Sequence, residues 1–174
     1  TAGRDENPAG WGVEAPVLLG ATPIFVDSDP NTYNMNPEDL KKAIAEVKKE
    51  GKLNLKAVVA VDIFGSPCNY DEIIKIAHEN GMKVLSDSCQ SFGSIYHGKH
   101  AGSIADMTAT SFYPTKPLGC YGDGGAVFTN NNEENELVKS CRVHGMSPED
   151  HYDNVRLGMT GRINLYTSQA AVLV

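Results

Sequence analysis

Lys116 is the residue whose setting most suggests chemistry. It lies in "SFYPTKPLGCYGDGGAVFTN" (111–130), where an apolar, strand-like run delivers a lone cation into a turn. Four glycines (119, 122, 124 and 125) follow within seven positions. A lysine at a strand end is ordinarily a salt-bridge partner or a snorkelling surface group. Taken out of water, its charged form is disfavoured, and the neutral amine becomes a nucleophile toward carbonyls.

Nearby residue types extend that chemistry. "VLSDSCQSFG" (84–93) ends a strand on Asp87 and places Gln90 three positions later, within a turn's reach of the same ligand. Ser111 lies on the strand leading to Lys116. Pyridoxal 5′-phosphate, the carbonyl cofactor such a lysine commonly holds, needs an acid at its pyridine nitrogen, donors for its phosphate and a group flanking its ring. Asp87, Ser111 and Gln90 can answer those needs. Each also has a plainer use: Asp87 to cap a turn, Ser111 to bond backbone, Gln90 to sit on the surface. Residue types and spacing leave both readings open.

The elements that must position these groups alternate. "TPIFVD" (22–27) reads as a short strand ending in acid. "NPEDLKKAIAEVKKEG" (36–51) reads as a helix, with an Asn cap, Pro in the first turn, Leu40, Ala43, Ile44 and Val47 on one face and Gly51 closing it. "LKAVVAVDIFG" (55–65) is a nearly continuous apolar run, expected to be a strand covered on both faces. An amphipathic helix over 70–81, strands at 83–88, 107–114 and 125–130, and a capped helix over 131–145 complete the series. This alternation predicts an α/β fold with a mostly parallel sheet flanked by helices, and "GAVFTN" as an antiparallel member. Ligands in such sheets bind at the carboxyl ends of the strands, where Asp27, Asp62, Asp87 and Lys116 all fall.

Composition narrows the function classes. With 174 residues and 41% hydrophobic content, the chain can build one domain with a real core. A formal charge of −7 disfavours nucleic acid and anionic membranes as partners. No apolar run approaches the roughly 20 residues that span a bilayer. Four widely spaced cysteines without a Cys-x-x-Cys pair argue against zinc and against a disulfide framework, and suit a cytoplasmic location. "HGKH" (97–100) reads as a polar turn, because no carboxylate or thiol cluster accompanies its two histidines, and no metal is expected. Residues 1–14 read as irregular. The chain stops inside an apolar pattern, "SQAAVLV", so a larger polypeptide is expected.

Three strings, "DSCQSFGSIYHGKHAGSIAD", "TSFYPTKPLGCYGDGGAVFTN" and "RVHG…YDNVRLGMTGR", together resemble the DegT-type nucleotide-sugar aminotransferases, which are fold-type I pyridoxal-phosphate enzymes. The resemblance runs from about residue 15 to the end, so that 15–174 would be part of the family's large, cofactor-binding domain. It implies that Lys116 is the Schiff-base lysine and the acid/base for proton transfer. It further implies that Asp87 pairs with the pyridinium nitrogen, that Gln90 contacts the ring or its phenolic oxygen, and that Ser111 contacts the phosphate. The glycines would let backbone approach closely; a strand follows them, which excludes a Rossmann fingerprint.

The family often has Asn in "GMNxR", where this chain has Thr160 in "GMTGR". By resemblance, Thr160 would reach the neighbouring subunit's cofactor phosphate through a shorter side chain, and Arg162 would meet a substrate carboxylate or phosphate across a homodimer. The reaction implied is amino transfer from a donor such as glutamate to a nucleotide-linked keto sugar, in cell-surface polysaccharide or sugar-natural-product biosynthesis. Two alternatives share the fold: a sugar dehydratase, whose members typically carry histidine in place of Lys116, and a catalytically silent cofactor-binding or regulatory protein.

Overall fold

A computed structural model describes residues 8–147, 153–155 and 173, with side chains described from Gly12 onward. Its centre is a four-stranded sheet in the order β1 (Ala57–Val61), β2 (Lys83–Asp87), β5 (Met107–Ser111), β6 (Gly125–Thr129). The first three strands run parallel and β6 is antiparallel to β5, as expected from sequence. A small hairpin, β3 (Ile95–Tyr96) and β4 (Lys99–His100), turns through His97 and Gly98. The "HGKH" stretch is therefore a polar hairpin tip, and no cluster of potential metal ligands occurs among the described residues.

Two amphipathic helices build the core. In α2 (Pro37–Glu50), Asn36 accepts the Glu38 N–H at 2.9 Å, and Gly51 closes the C-terminus with φ 64°. α3 (Tyr70–Glu79) is capped by Asn69, whose side chain accepts the Glu72 N–H. Their apolar faces, Leu40 and Ile44 from α2 and Ile73, Ile76 and Ala77 from α3, bury Val58, Ala60 and Val84 of the sheet. α4 (Asn132–Arg142) is capped by Asn131 and packs against β6.

Strand alternation gives the sheet two unlike faces. Val58, Ala60, Val84 and Ser86 are buried on the α2/α3 side. Val59, Val61, Leu85, Asp87, Ala109 and Ser111 point the other way and are only half-buried. The expectation that β1 is covered on both faces is thus corrected: Val59 and Val61 on the second face stay half-buried, although α1 (Pro8–Leu18) approaches it. The Cβ position of Gly12 lies 3.9 Å from Val59 Cγ1.

Two further expectations are corrected. Residues 8–14 belong to helix α1, although 1–14 read as irregular. Pro8 is harmless at the first helical position, where no N–H bond is due, and Pro16 lies in the last turn, where little helix remains to break. "TPIFVD" is extended but forms no strand, because no neighbouring strand offers it a ladder among the described residues. Ile24 and Phe25 are exposed, and only a single bridge between Ser28 and Met35 follows. Asp27 accordingly lies off the sheet, its carboxylate accepting the Ser28 N–H.

Candidate active site

The carboxyl end of β2 is laced to that of β5. Asp87 lies opposite Ala109 in the ladder, the Ser88 N–H donates to the Ala109 carbonyl at 2.9 Å, and the Thr110 hydroxyl donates to the Ser88 carbonyl at 3.1 Å. Side chains on adjacent parallel strands that lie opposite each other share a face, and residues two apart on a strand share it too. Asp87 and Ser111 therefore look out on the same, sparsely covered face.

The loop that carries Lys116 is pinned at its base. The Phe112 N–H donates to the Gly124 carbonyl at 2.7 Å, and the Cys120 N–H returns to the Phe112 carbonyl at 2.8 Å. Within the loop, the Lys116 N–H donates to the Tyr113 carbonyl at 2.9 Å, closing a tight turn. This fold-back needs glycine at two positions: a Cβ on Gly119 would sit 2.7 Å from the Pro114 carbonyl oxygen, and one on Gly125 would sit 2.7 Å from that of Thr110. Phe112, buried, meets Phe92 edge-to-face at 5.7 Å, which draws the Lys116 loop toward the turn holding Gln90.

One thiol reports how the reactive groups are placed. Cys89 is pushed up to about 12, first by burial and then by the Asp87 carboxylate beside it, while the Lys116 charge and the Ser111 backbone act in the opposite direction. Asp87 and the Ser111 backbone thus lie against the sulfur atom, and the Lys116 charge is near enough to act on it. The Cys89 N–H also donates to Asp87 Oδ1 at 3.1 Å. Yet Asp87 and Lys116 do not form an ion pair, and Lys116 pairs with no acid among the described residues.

That arrangement fits pyridoxal phosphate. Asp87 and Lys116 lie at one edge without pairing, so the acid and the amine are each available to a ligand. Ser111 Oγ accepts the Tyr113 N–H at 3.2 Å, which leaves its own proton free to donate to an anion. Gln90 is exposed in the turn after Asp87, with its side chain open to a ligand. Of the residues singled out from sequence, Asp87, Ser111, Lys116 and Gln90 gather at this edge, whereas Thr160 and Arg162 lie outside the described residues. Cys89 was missed. Cysteine spacing speaks only to redox and metal chemistry; the signal for Cys89 in the sequence is its place in the turn two residues after Asp87.

Comparison with known proteins places these features. The profile of the "DegT/DnrJ/EryC1/StrS aminotransferase family" matches residues 12–174. The chain is 40% identical over 161 residues to the UDP-2-acetamido-2-deoxy-3-oxo-D-glucuronate aminotransferase of Pseudomonas aeruginosa, covering 92% of this chain and 42% of that enzyme. A DegT DnrJ EryC1 StrS aminotransferase from Brucella abortus superimposes with a TM-score of 0.91 at 47% identity, over 96% of this chain and 44% of that one. NtdA from Bacillus subtilis, solved with bound cofactor PMP, matches with a TM-score of 0.79 at 28% identity, over 92% of this chain and 34% of that one. The chain spans about two fifths of the length of the Pseudomonas enzyme.

Proposed function

Because the chain belongs to the DegT/DnrJ/EryC1/StrS aminotransferase family, we propose that it works in the pyridoxal-phosphate-dependent transfer of an amino group, from an amino acid such as glutamate, to a keto sugar carried on a nucleotide. The single observation that carries the reading is the placement of Asp87 and Ser111 on one face at the carboxyl edge of the sheet, with Lys116, unpaired among the described residues, on the loop that follows. The Pseudomonas relative, an aminotransferase named for a UDP-linked oxo sugar, supports the substrate class.

When bound, the cofactor supplies an electron sink for the pair released as a proton leaves the carbon beside the substrate nitrogen. The chain's residues divide the remaining work. Lys116 Nζ would hold the cofactor through its carbonyl carbon and, once freed, would serve as the acid/base that moves the proton between the substrate carbon and the cofactor. Asp87, whose carboxylate accepts the Cys89 N–H, would hold the proton on the pyridine nitrogen and so keep the sink effective. The Ser111 hydroxyl binds the phosphate, and Gln90 bears on the ring or its phenolic oxygen. Thr160 and Arg162 complete the site across a homodimer, to the cofactor phosphate and to a substrate anion respectively.

Uncovered apolar side chains support a larger assembly. Leu18, Leu19, Phe25 and Phe64 are each at least 70% exposed. Surfaces of this kind mark places where other protein packs. No helix among the described residues is long and apolar enough to cross a membrane, and the reading includes a cytoplasmic location, where nucleotide sugars are made.

The test is Lys116→Ala in the complete polypeptide. The expected result is a folded protein without the visible absorbance that pyridoxal phosphate gives on joining a lysine, and without amino transfer. A variant that transfers at the wild-type rate would overturn the reading.

A further inference from the structure

Beneath the cofactor face lies a buried acid that the chemistry above does not use. Asp62 follows β1, has 0% of its surface exposed, and has no cationic partner within ion-pair distance among the described residues. A carboxylate removed from water without a counter-ion is costly unless donors replace the lost hydration. Four donors do so here. The Cys68 N–H reaches Oδ1 at 2.9 Å and the Tyr70 hydroxyl reaches it at 2.7 Å. The Ser91 hydroxyl reaches Oδ2 at 2.6 Å, and that of Ser88 at 3.3 Å.

These donors come from two separate segments. Cys68 lies just before the Asn69 cap of α3 and Tyr70 opens the helix, whereas Ser88 and Ser91 bracket the turn that carries Cys89 and Gln90 directly after Asp87. Ser86, on β2, closes the set: its hydroxyl lies 2.5 Å from that of Tyr70 and 2.9 Å from that of Ser88, with one proton to donate to either. The Asp62 N–H donates to the Asp87 carbonyl at 3.0 Å, and the Ser94 hydroxyl binds the Gly65 carbonyl at 2.8 Å. The closeness is steric as well: a Cβ on Gly65, where φ is +78°, would lie 3.0 Å from the Gln90 carbonyl oxygen. A hydrophobic side chain at position 62 would fill the space without holding the turn.

We propose that Asp62 is a positioning residue. By gathering Tyr70, Ser88 and Ser91 onto one carboxylate, it fixes the turn after β2, and with it the direction in which Asp87 and Gln90 meet the cofactor. The inference rests on the proposed cofactor site. It goes beyond that reading in assigning orientation of the ring-contacting residues to an acid on the opposite face of the sheet.

The experiment compares wild type, Asp62→Asn, Ser91→Ala and the double variant in the complete polypeptide reconstituted with pyridoxal phosphate. Asp62→Asn keeps the volume and one acceptor oxygen, so it can fold while losing the second. Each single variant should weaken the visible circular dichroism of the bound cofactor and lower kcat by about tenfold or more, with KM for glutamate changed far less. The double variant should be no worse than Asp62→Asn alone. In the cofactor-free protein, the amide of Ser91 should exchange with solvent faster in Asp62→Asn. A variant that only melts earlier, with the visible signal, kcat below its melting range and Ser91 exchange all unchanged, would overturn the inference. A wild type that gives no visible signal with pyridoxal phosphate would overturn the proposed function itself.

Discussion

Asp62 donates its backbone N–H to the carbonyl of Asp87 at 3.0 Å, so two acids end neighbouring strands side by side. Their carboxylates have different fates. That of Asp62 is fully buried among hydroxyls on the α3 side, and that of Asp87 emerges half-buried on the face where Ser111 lies. The same residue type at the same kind of strand end is thus enclosed in the scaffold in one case and opens onto the proposed cofactor face in the other.

Asp87→Asn should still bind the cofactor yet lose catalytic rate. A neutral amide cannot hold a proton on the pyridine nitrogen, so the ring takes up charge less readily. The loss in kcat should be on the order of 10²-fold or more. Steady-state kinetics beside a cofactor titration check it; rate and affinity both unchanged would contradict the role.

Gly119→Ala should disturb the Lys116 loop. The new methyl would meet the Pro114 carbonyl oxygen at 2.7 Å, with two further backbone atoms of Pro114 at 3.0 Å, and backbone has little freedom to yield. The expected cost is about 1–3 kcal/mol of stability, with weakened cofactor binding. Thermal unfolding and an absorbance titration with pyridoxal phosphate would measure both effects.

The Cys89 thiol, pushed up to about 12 by burial and by Asp87, should be a poor nucleophile near neutral pH. Its alkylation rate should go on rising about tenfold per pH unit beyond pH 9, where an ordinary thiol levels off. Iodoacetamide labelling at a series of pH values, read by peptide mass mapping, distinguishes the two curves.

Asp106 ties the amino end of the sheet together. It accepts the Val84 N–H at 2.7 Å, meets His78 Nε2 at 2.9 Å and lies 3.4 Å from Lys83 Nζ. Burial by itself would raise its pKa, but the His78 and Val84 bonds and the Lys83 charge together hold it below the ordinary carboxylate value. A depressed carboxylate contributes stability that is fully present above its unfolded pKa of about 4 and is lost as pH falls through the folded value. Asp106→Asn should therefore cost about 1–3 kcal/mol at pH 7, and the gap from wild type should narrow at pH 3. Urea unfolding at the two pH values is the measurement.

Much of this protein is legible in local sequence, because the features concerned are decided within a few residues. Asn36 and Asn131 cap the helices they precede, since a short side-chain acceptor needs only the N–H groups one turn ahead. The apolar spacing of Leu40, Ile44 and Val47 buries one face of α2 whatever lies opposite. Strand and helix alternation dictates the order of elements, and with it the carboxyl edge where Asp87, Ser111 and Lys116 meet.

What only the tertiary structure decided depends on partners distant in sequence. "TPIFVD" has the composition of a strand, but a ladder requires a neighbouring edge, and none is offered among the described residues. Residues 8–14 carry proline and glycine, which read as breakers, yet a first-turn proline and a close approach to Val59 suit a helix laid on the sheet. Asp62 and Asp87 are alike in sequence, each ending an apolar run. Which one stands under the sheet and which faces the ligand follows from the strand register and from Tyr70, Ser88 and Ser91 closing on one carboxylate. Burial and hydrogen-bond satisfaction are properties of the assembled neighbourhood, and a single strand's residues do not contain them.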